Sequence, residues 1–337
     1  MDMWPIRDVR YQVTLACNLS CPHCFAKARQ PLPDELSVEE AKEIVLDLKE
    51  NGMRLLTMTG GEPLCRKDFV LELGSFLSSI SARYRVFTNG ILLDEELASE
   101  LKDRGVSEIQ VSVDGLEDTH DSFRGMNGAF KRAIRAVRAS KQEGIKTAVR
   151  LTITQQNHKE VPAIIEYIAG LEIDAFRVRP FVSVGRGSEN EKYIPTPEAM
   201  IEAFSHIEEK RKNLPFPFQL ITPSFHFLGK DPPKTRSEKS FVGSRCVCGK
   251  QLCAITPDGW LKPCGYFSVK LGNLREQKFA EIWNNNAFLD KMRSIDRLSD
   301  VCMNCKYLVY CGGGCRASAY ENTGDLCATD PLCPLVR

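Results

Sequence analysis

The sequence predicts an α/β protein: a partial (β/α)6 TIM-type barrel followed by a small cysteine-rich domain. Two observations predict it. Strand-like and helix-like segments alternate six times between residues 9 and 212, with the apolar period switching between 2 and 3.6. The last 92 residues then hold 10 of the 14 cysteines in short segments broken by turns. Six β-α pairs in succession require a parallel sheet with right-handed crossovers, either closed in part as a barrel or left open and doubly wound.

Each element has its own signal. Val9–Leu15 alternates Val9, Tyr11, Val13 and Leu15 and reads as the first strand. Ser37–Glu50 is a helix: Ser37 and Glu40 form a capping box, Val38, Ala41, Ile44, Val45 and Leu48 share a face, and Asn51-Gly52 stops it. Met53–Met58, Arg83–Thr88, Ser107–Val113, Lys146–Ile153 and Ala175–Arg179 are the further strands. Helices are expected over Lys67–Ser78, Asp94–Arg104, Gly128–Glu143, Asn157–Leu171 with Pro162 in its first turn, and Thr196–Lys212. These elements place the barrel at residues 8–212. Residues 213–244 carry five prolines and a charged stretch and read as a connection. Residues 245–337 form the cysteine-rich domain, whose short segments are expected to depend on metal for their folding.

Composition excludes several functions. Lys and Arg number 45 against 44 Asp and Glu, which leaves no electrostatic footprint for nucleic acid or an anionic membrane. No apolar run reaches the roughly 18 residues that span a bilayer. The start, Met1-Asp2-Met3-Trp4-Pro5, has no secretory pattern, so a cytoplasmic location is expected and metal ligation is a better use of the cysteines than disulfides.

Cys17, Cys21 and Cys24 lie directly after the first strand in the spacing C-x3-C-x2-C. Three thiolates so close together, with no fourth nearby, suit a cubane iron–sulfur cluster with one iron left open. Chemistry in α/β barrels sits on such loops, at the C-terminal ends of strands. Thr59-Gly60-Gly61-Glu62-Pro63 follows the second strand. Its glycines allow close backbone approach, and Glu62 can accept a hydrogen bond from an amine.

Together these two segments resemble the radical S-adenosylmethionine (radical SAM) superfamily over roughly residues 8–200. Phe25 stands in the aromatic place after the last cysteine, and Gly60, Gly61, Glu62 and Pro63 match the family's G-G-E-P segment. The resemblance implies that S-adenosylmethionine chelates the open iron of a [4Fe-4S] cluster. It is then reductively cleaved to a 5′-deoxyadenosyl radical that abstracts a hydrogen atom from the substrate. It further implies cofactor contacts from Asn89 at the end of the third strand, Ser112 at the end of the fourth, and Arg124.

The C-terminal cysteines resemble a second pattern. Cys248-x10-Gly259-x4-Cys264 spans a hairpin with its turn at Asp258-Gly259, and Cys302-x2-Cys305-x5-Cys311-x3-Cys315 is followed by Cys327 and Cys333. This is similar to the SPASM extension of radical SAM enzymes. The resemblance implies two auxiliary [4Fe-4S] clusters, the first held by Cys248 (or Cys246), Cys253, Cys264 and Cys315, the second by Cys302, Cys305, Cys311 and Cys333. Spacing alone also allows two zinc ribbons.

The resemblance implies an oxidoreductase-type enzyme fed by an electron donor such as ferredoxin or flavodoxin. Two substrates are compatible with it. One is a peptide or protein side chain undergoing maturation. The other is a tetrapyrrole or other small cofactor precursor, oxidised or decarboxylated as in siroheme-dependent haem or haem d1 synthesis. Gly265 follows Cys264 where sulfatase-maturing relatives are expected to carry an aspartate, which disfavours formylglycine formation. With the first strand near residue 9, where many peptide-modifying relatives place a peptide-binding domain ahead of the barrel, a leader peptide is expected to need a separate protein. Tyr193, His226, Tyr266 and Tyr310 are side chains that could donate or accept protons.

Overall fold

The computed structural model describes residues 4–213, 217–222 and 246–336. Seven parallel strands follow in order along one sheet: β1 (Asp8–Gln12), β2 (Leu55–Thr59), β3 (Arg83–Thr88), β4 (Glu108–Ser112), β5 (Thr147–Ile153), β6 (Ala175–Pro180) and β7 (Gln219–Ile221). The helices between them are α1 (Val38–Glu50), α2 (Lys67–Ser79), α3 (Glu95–Asp103), α4 (Glu117–Arg124), α5 (Ala129–Gln142), α6 (Val161–Ala169) and α7 (Pro197–Asn213). Ser37 and Glu40 make the expected reciprocal cap on α1.

Two features depart from expectation. The stretch read as a connection contributes a strand, since β7 pairs in parallel with β6. Its three residues are too few for a periodic signal. The polar segment Glu117–Arg124 is a helix, although only His120, Phe123 and Arg124 are buried. So few apolar positions hide its period. His226 lies outside the described residues.

The cysteine-rich region is joined to the barrel sheet rather than standing alone. Strand β8 (Leu252–Ile255) pairs in parallel with β1 on the edge opposite β2, with Cys253 beside Val9. It turns back through Gly259 (φ +87°) into β9 (Trp260–Lys262), which pairs with β10 (Gly272–Asn273). One continuous core holds Val9 and Leu56 of the barrel together with Ile255, Leu261, Phe279, Trp283 and Leu289. Asp47 of α1 accepts the Phe279 amide at 2.8 Å, and the Trp283 indole donates to the Trp4 carbonyl at 2.9 Å. The apolar surface this region lacks is supplied by the barrel.

The sheet curls: Arg10 of β1 and Arg179 of β6 line the same cavity although four strands lie between theirs. Its charged floor is balanced. Arg85 bonds Asp8 at 2.9 Å, and Arg177 bonds Glu108 at 2.9 Å. Alternate residues further along the same strands face the cavity above.

At the C-terminal strand ends the loop after β2 presses on the loop after β1. The Gly61 amide donates to Thr14 O at 2.8 Å and the Glu62 amide to Ala16 O at 2.8 Å. A Cβ at Gly61 would stand 2.2 Å from Ala16 O, and one at Gly60 (φ +146°) 2.4 Å from Thr14 O. Gly61→Ala is therefore expected to lower unfolding stability by at least about 2 kcal/mol, because two backbones must separate. Gly125→Ala, at φ +68° with nothing within 4 Å, is expected to cost about 1 kcal/mol. Urea titration of the two purified variants measures the difference.

Candidate active site

The segment Cys17–Ala28 leaves β1 as a loop closed at its base, where Ala16 bridges Arg29. The Cys17 amide donates to Arg29 O at 3.2 Å. Glu35 fixes the entry, accepting from Thr14 Oγ1 at 3.0 Å and the Leu15 amide at 2.8 Å. A clasp from the loop after β6 holds the far side. Arg186 Nε donates to Cys21 O at 2.9 Å, Arg186 Nη1 to Ala28 O at 2.9 Å, and the Arg186 amide to Cys24 O at 3.0 Å. Gly185, at φ +60°, lets this clasp close, because a Cβ there would meet Phe25 O at 2.3 Å.

All three cysteines line one cavity over the strand ends, together with Gly60, Gly61, Asn89, Ser112 and Arg124. Burial raises the thiols of Cys17, to about 12, and of Cys21. The Asn89 side chain donates to Asn18 Oδ1 at 2.8 Å and so ties the cysteine loop to β3. Ser112 ends β4 at the cavity wall.

Glu62 and Arg124 do more than the sequence suggests. Glu62 is fully buried and absent from the cavity lining. It accepts from Thr88 Oγ1 at 2.8 Å, the Leu64 amide at 3.1 Å and the Asn89 amide at 2.7 Å. Its carboxylate is thus a brace between the loops after β2 and β3, and burial pushes it up to about 7. Pro63 starts the short turn of helix that Glu62 caps. Arg124 is ion-paired with buried Asp114, and its Nη1 lies 3.7 Å from Cys21 Sγ. Asp114 also accepts the Thr152 amide at 2.8 Å, which fixes α4 against β5. His23 stacks on Phe123 with centroids 4.5 Å apart, and burial first, then Arg124, lowers it to about 3. It is a neutral ring here.

A second cavity adjoins the first. The two share Phe25, Thr59, Phe87, Arg150 and Tyr266 as wall residues. Phe25 meets Tyr266 edge-on at 5.1 Å, and the Tyr266 hydroxyl accepts from Arg150 at 3.0 Å. Cys246, Cys248, Cys264 and Cys315 line this second cavity, and Cys311 reaches it too. The Cys248 thiol hydrogen-bonds those of both Cys246 and Cys264. Asp330 accepts the Cys315 amide at 2.7 Å, and buried Arg316 holds the Leu326 and Ala328 carbonyls beneath that turn. Cys302, Cys305, Cys311 and Cys333 form a separate group. Burial raises Cys333 to about 11, with Asp330, Cys302 and Cys305 adding to the effect. Cys311 feels Cys333 and Cys302 likewise.

Cys253 is the one expected ligand not brought to either group. It sits fully buried on β8 in the common core, outside the lining of both cavities, and its place beside Cys248 and Cys264 is filled by Cys246. Strand alternation explains this: Leu252 lines the second cavity, so Cys253, the next residue on the strand, points the other way into the core. Cys65 and Cys327 belong to neither group. Tyr193 is packed against Phe123, whereas Tyr266 and Tyr310 face the second cavity.

The family model of the Radical SAM superfamily matches residues 11–168, and that of an iron–sulfur cluster-binding domain, SPASM, matches residues 246–306. The AdoMet-dependent heme synthase of Methanosarcina barkeri is 32% identical, over 97% of this chain and 96% of that protein. The chain belongs to the radical SAM superfamily. Sporulation killing factor maturation protein SkfB of Bacillus subtilis is 31% identical over 80% of this chain and 63% of its own length. Among solved structures, Streptococcus suis SuiB bound to S-adenosylmethionine superposes with a TM-score of 0.79 at 19% identity, over 99% of this chain and 78% of that one. As a radical SAM enzyme with a SPASM region, the chain uses S-adenosylmethionine, a [4Fe-4S] cluster and auxiliary iron–sulfur clusters. The donor set fits: three thiols on one loop face one cavity, and further thiols gather at its neighbour.

The Asp114–Arg124 pair supports this site. Burial alone would raise Asp114, but the Arg124 guanidinium outweighs it and holds the carboxyl below its usual range. A depressed carboxyl stabilises the fold above its unfolded value of about 4, and that contribution is lost as pH falls below it. Asp114→Asn leaves Arg124 buried without its partner and is expected to cost about 3–5 kcal/mol at pH 7, with the difference from wild type narrowing below about pH 4. Denaturation at pH 7 and pH 3 measures both.

Proposed function

We propose that this enzyme carries out radical chemistry on a tetrapyrrole or a comparable small cofactor precursor held in the second cavity. The observation that carries this reading is the wall common to the two cavities, which sets a substrate chamber directly beside the cofactor loop. Likeness to a haem synthase along nearly the whole of both chains supports the substrate class.

When bound, the cluster and S-adenosylmethionine supply a one-electron reductive cleavage and a radical able to take a hydrogen atom. The chain's own residues do the rest. Cys17, Cys21 and Cys24 hold the cluster. Gly60, Gly61, Asn89 and Ser112 present backbone and small polar groups to the cofactor, and Arg124 sets a fixed positive charge beside Cys21. Phe25 and Tyr266 shield the passage between the cavities from water. Cys246, Cys248, Cys264 and Cys315 hold the first auxiliary cluster, and Cys302, Cys305, Cys311 and Cys333 the second. A low-potential donor such as ferredoxin or flavodoxin feeds the electron.

Anaerobic reconstitution should give about 12 iron and 12 sulfide per chain, as three four-iron clusters. Cys253→Ala should keep that content, whereas Cys248→Ala should lose up to about four iron. A stoichiometry near four iron with two zinc contradicts the auxiliary assignment and spares the first.

Formylglycine should not form on a sulfatase-type peptide. That oxidation needs a base within hydrogen-bond reach of the substrate proton. Asp114 is tied to Arg124, and Asp258 sits in the hairpin turn, bonded to Thr256 at 2.5 Å. Among the described residues no Asp or Glu lines either cavity. A Cβ at Gly265 would press to 3.0 Å on the Phe25 ring, so an added side chain would have to push that ring aside. Mass spectrometry of a Cys-containing peptide after turnover conditions is the check, and the formylglycine mass would refute this account.

A further inference from the structure

The strands place charge in two tiers. The floor of the half-barrel is neutral, with Asp8 and Glu108 answering Arg85 and Arg177. One alternation further toward the C-terminal ends, Arg10 of β1, Arg150 of β5 and Arg179 of β6 line the second cavity. Among the described residues none of the three has a carboxylate partner. Among the same residues Arg150 donates to the Tyr266 hydroxyl alone, and the buried Nε atoms of Arg10 and Arg150 find no hydrogen-bond partner. The charges acting on Arg179 are those of Arg10 and Arg150, then Tyr266 and Cys315.

Three guanidiniums converging on one cavity repel each other, and a partly buried one is costly to leave unpaired. The floor shows that paired acids fit inside this barrel, so the missing acids above it leave room for anionic groups that arrive from outside. Phe25, Phe87, Tyr266 and Tyr310 give the same cavity flat apolar walls.

We propose that Arg10, Arg150 and Arg179 form a cradle for at least two carboxylates of a rigid, largely apolar substrate. This rests on the tetrapyrrole reading above and deepens it, since the carboxylate side chains become the groups the enzyme recognises. The cradle grips one edge of the substrate, and the Phe25 and Tyr266 wall sets the held edge against the cofactor cavity.

The test uses reconstituted holoenzyme without S-adenosylmethionine and reads binding of coproporphyrin III, which carries four propionates, against its tetramethyl ester by fluorescence quenching. The tetraacid is expected to bind at least about 30-fold more tightly than the ester. Arg10→Gln and Arg179→Gln should each weaken the tetraacid about 10- to 100-fold and leave the ester within about twofold. Arg10→Lys and Arg179→Lys should recover part of the loss. Unchanged iron content shows that each variant is assembled. Tetraacid affinity unchanged in the Gln variants, with the auxiliary-cluster potential shifted or not, overturns the cradle and leaves the tetrapyrrole reading standing. If neither porphyrin binds, that reading fails, and benzene-1,3,5-tricarboxylate becomes the probe. Arginine-dependent binding of this triacid sustains the cradle, and its absence or independence of the arginines overturns it.

Discussion

The site depends on one contact, the backbone of Gly60 and Gly61 lying against Thr14–Ala16. Strand register brings the ends of β1 and β2 side by side, but only residues without a Cβ let the following loops touch. That touch aims the cysteine loop across the strand ends instead of outward. Glu62 then locks the arrangement from below, by gathering the Thr88 hydroxyl and the Asn89 amide into one buried carboxylate. Asn89 passes the constraint back to Asn18, inside the cysteine loop itself. The Arg186 clasp completes a ring of support that runs from β1 through β2 and β3 and returns from β6.

The C-terminal region extends the same logic. Because β8 joins β1 in parallel, the hairpin starts on the barrel edge and delivers Cys264 to the mouth of the curled sheet. A free-standing cysteine-rich domain would need metal to bury enough surface. This one shares the barrel's core, so its metal sites and the substrate chamber occupy a common frame. The gap between the neutral floor and the arginine tier then assigns work by height: the floor holds the barrel together, and the tier above faces the ligand.

Much of this was legible in the sequence. The capping box at Ser37, the alternating strands and the three-cysteine loop each carry a local signal that tertiary structure had no reason to override. What escaped depends on direction rather than spacing. Cys253 has a ligand's spacing, but its strand parity turns it into the core. Glu62 belongs to a motif that suggests a ligand contact, and only its burial and three donors reveal a brace. Arg10 and Arg179 do leave a trace, as cations alternating with the apolar residues Val9, Tyr11 and Val178 along their strands. That trace gains meaning once the sheet is known to curl and, among the described residues, no carboxylate answers them. Strand β7 is too short for periodicity to show, and α4 too polar.

The loop carrying Cys17, Cys21 and Cys24 faces the cofactor cavity, and a cluster held there by three thiolates would keep one iron free to accept a ligand. Electron–nuclear double resonance of the reduced enzyme, with S-adenosylmethionine labelled with nitrogen-15 at the methionine amine, tests it directly. A resolved coupling between the label and the cluster, lost in the Cys17→Ala, Cys21→Ala and Cys24→Ala triple variant, is the result this account predicts. No coupling in the wild-type enzyme, or one that survives the triple variant, would contradict it.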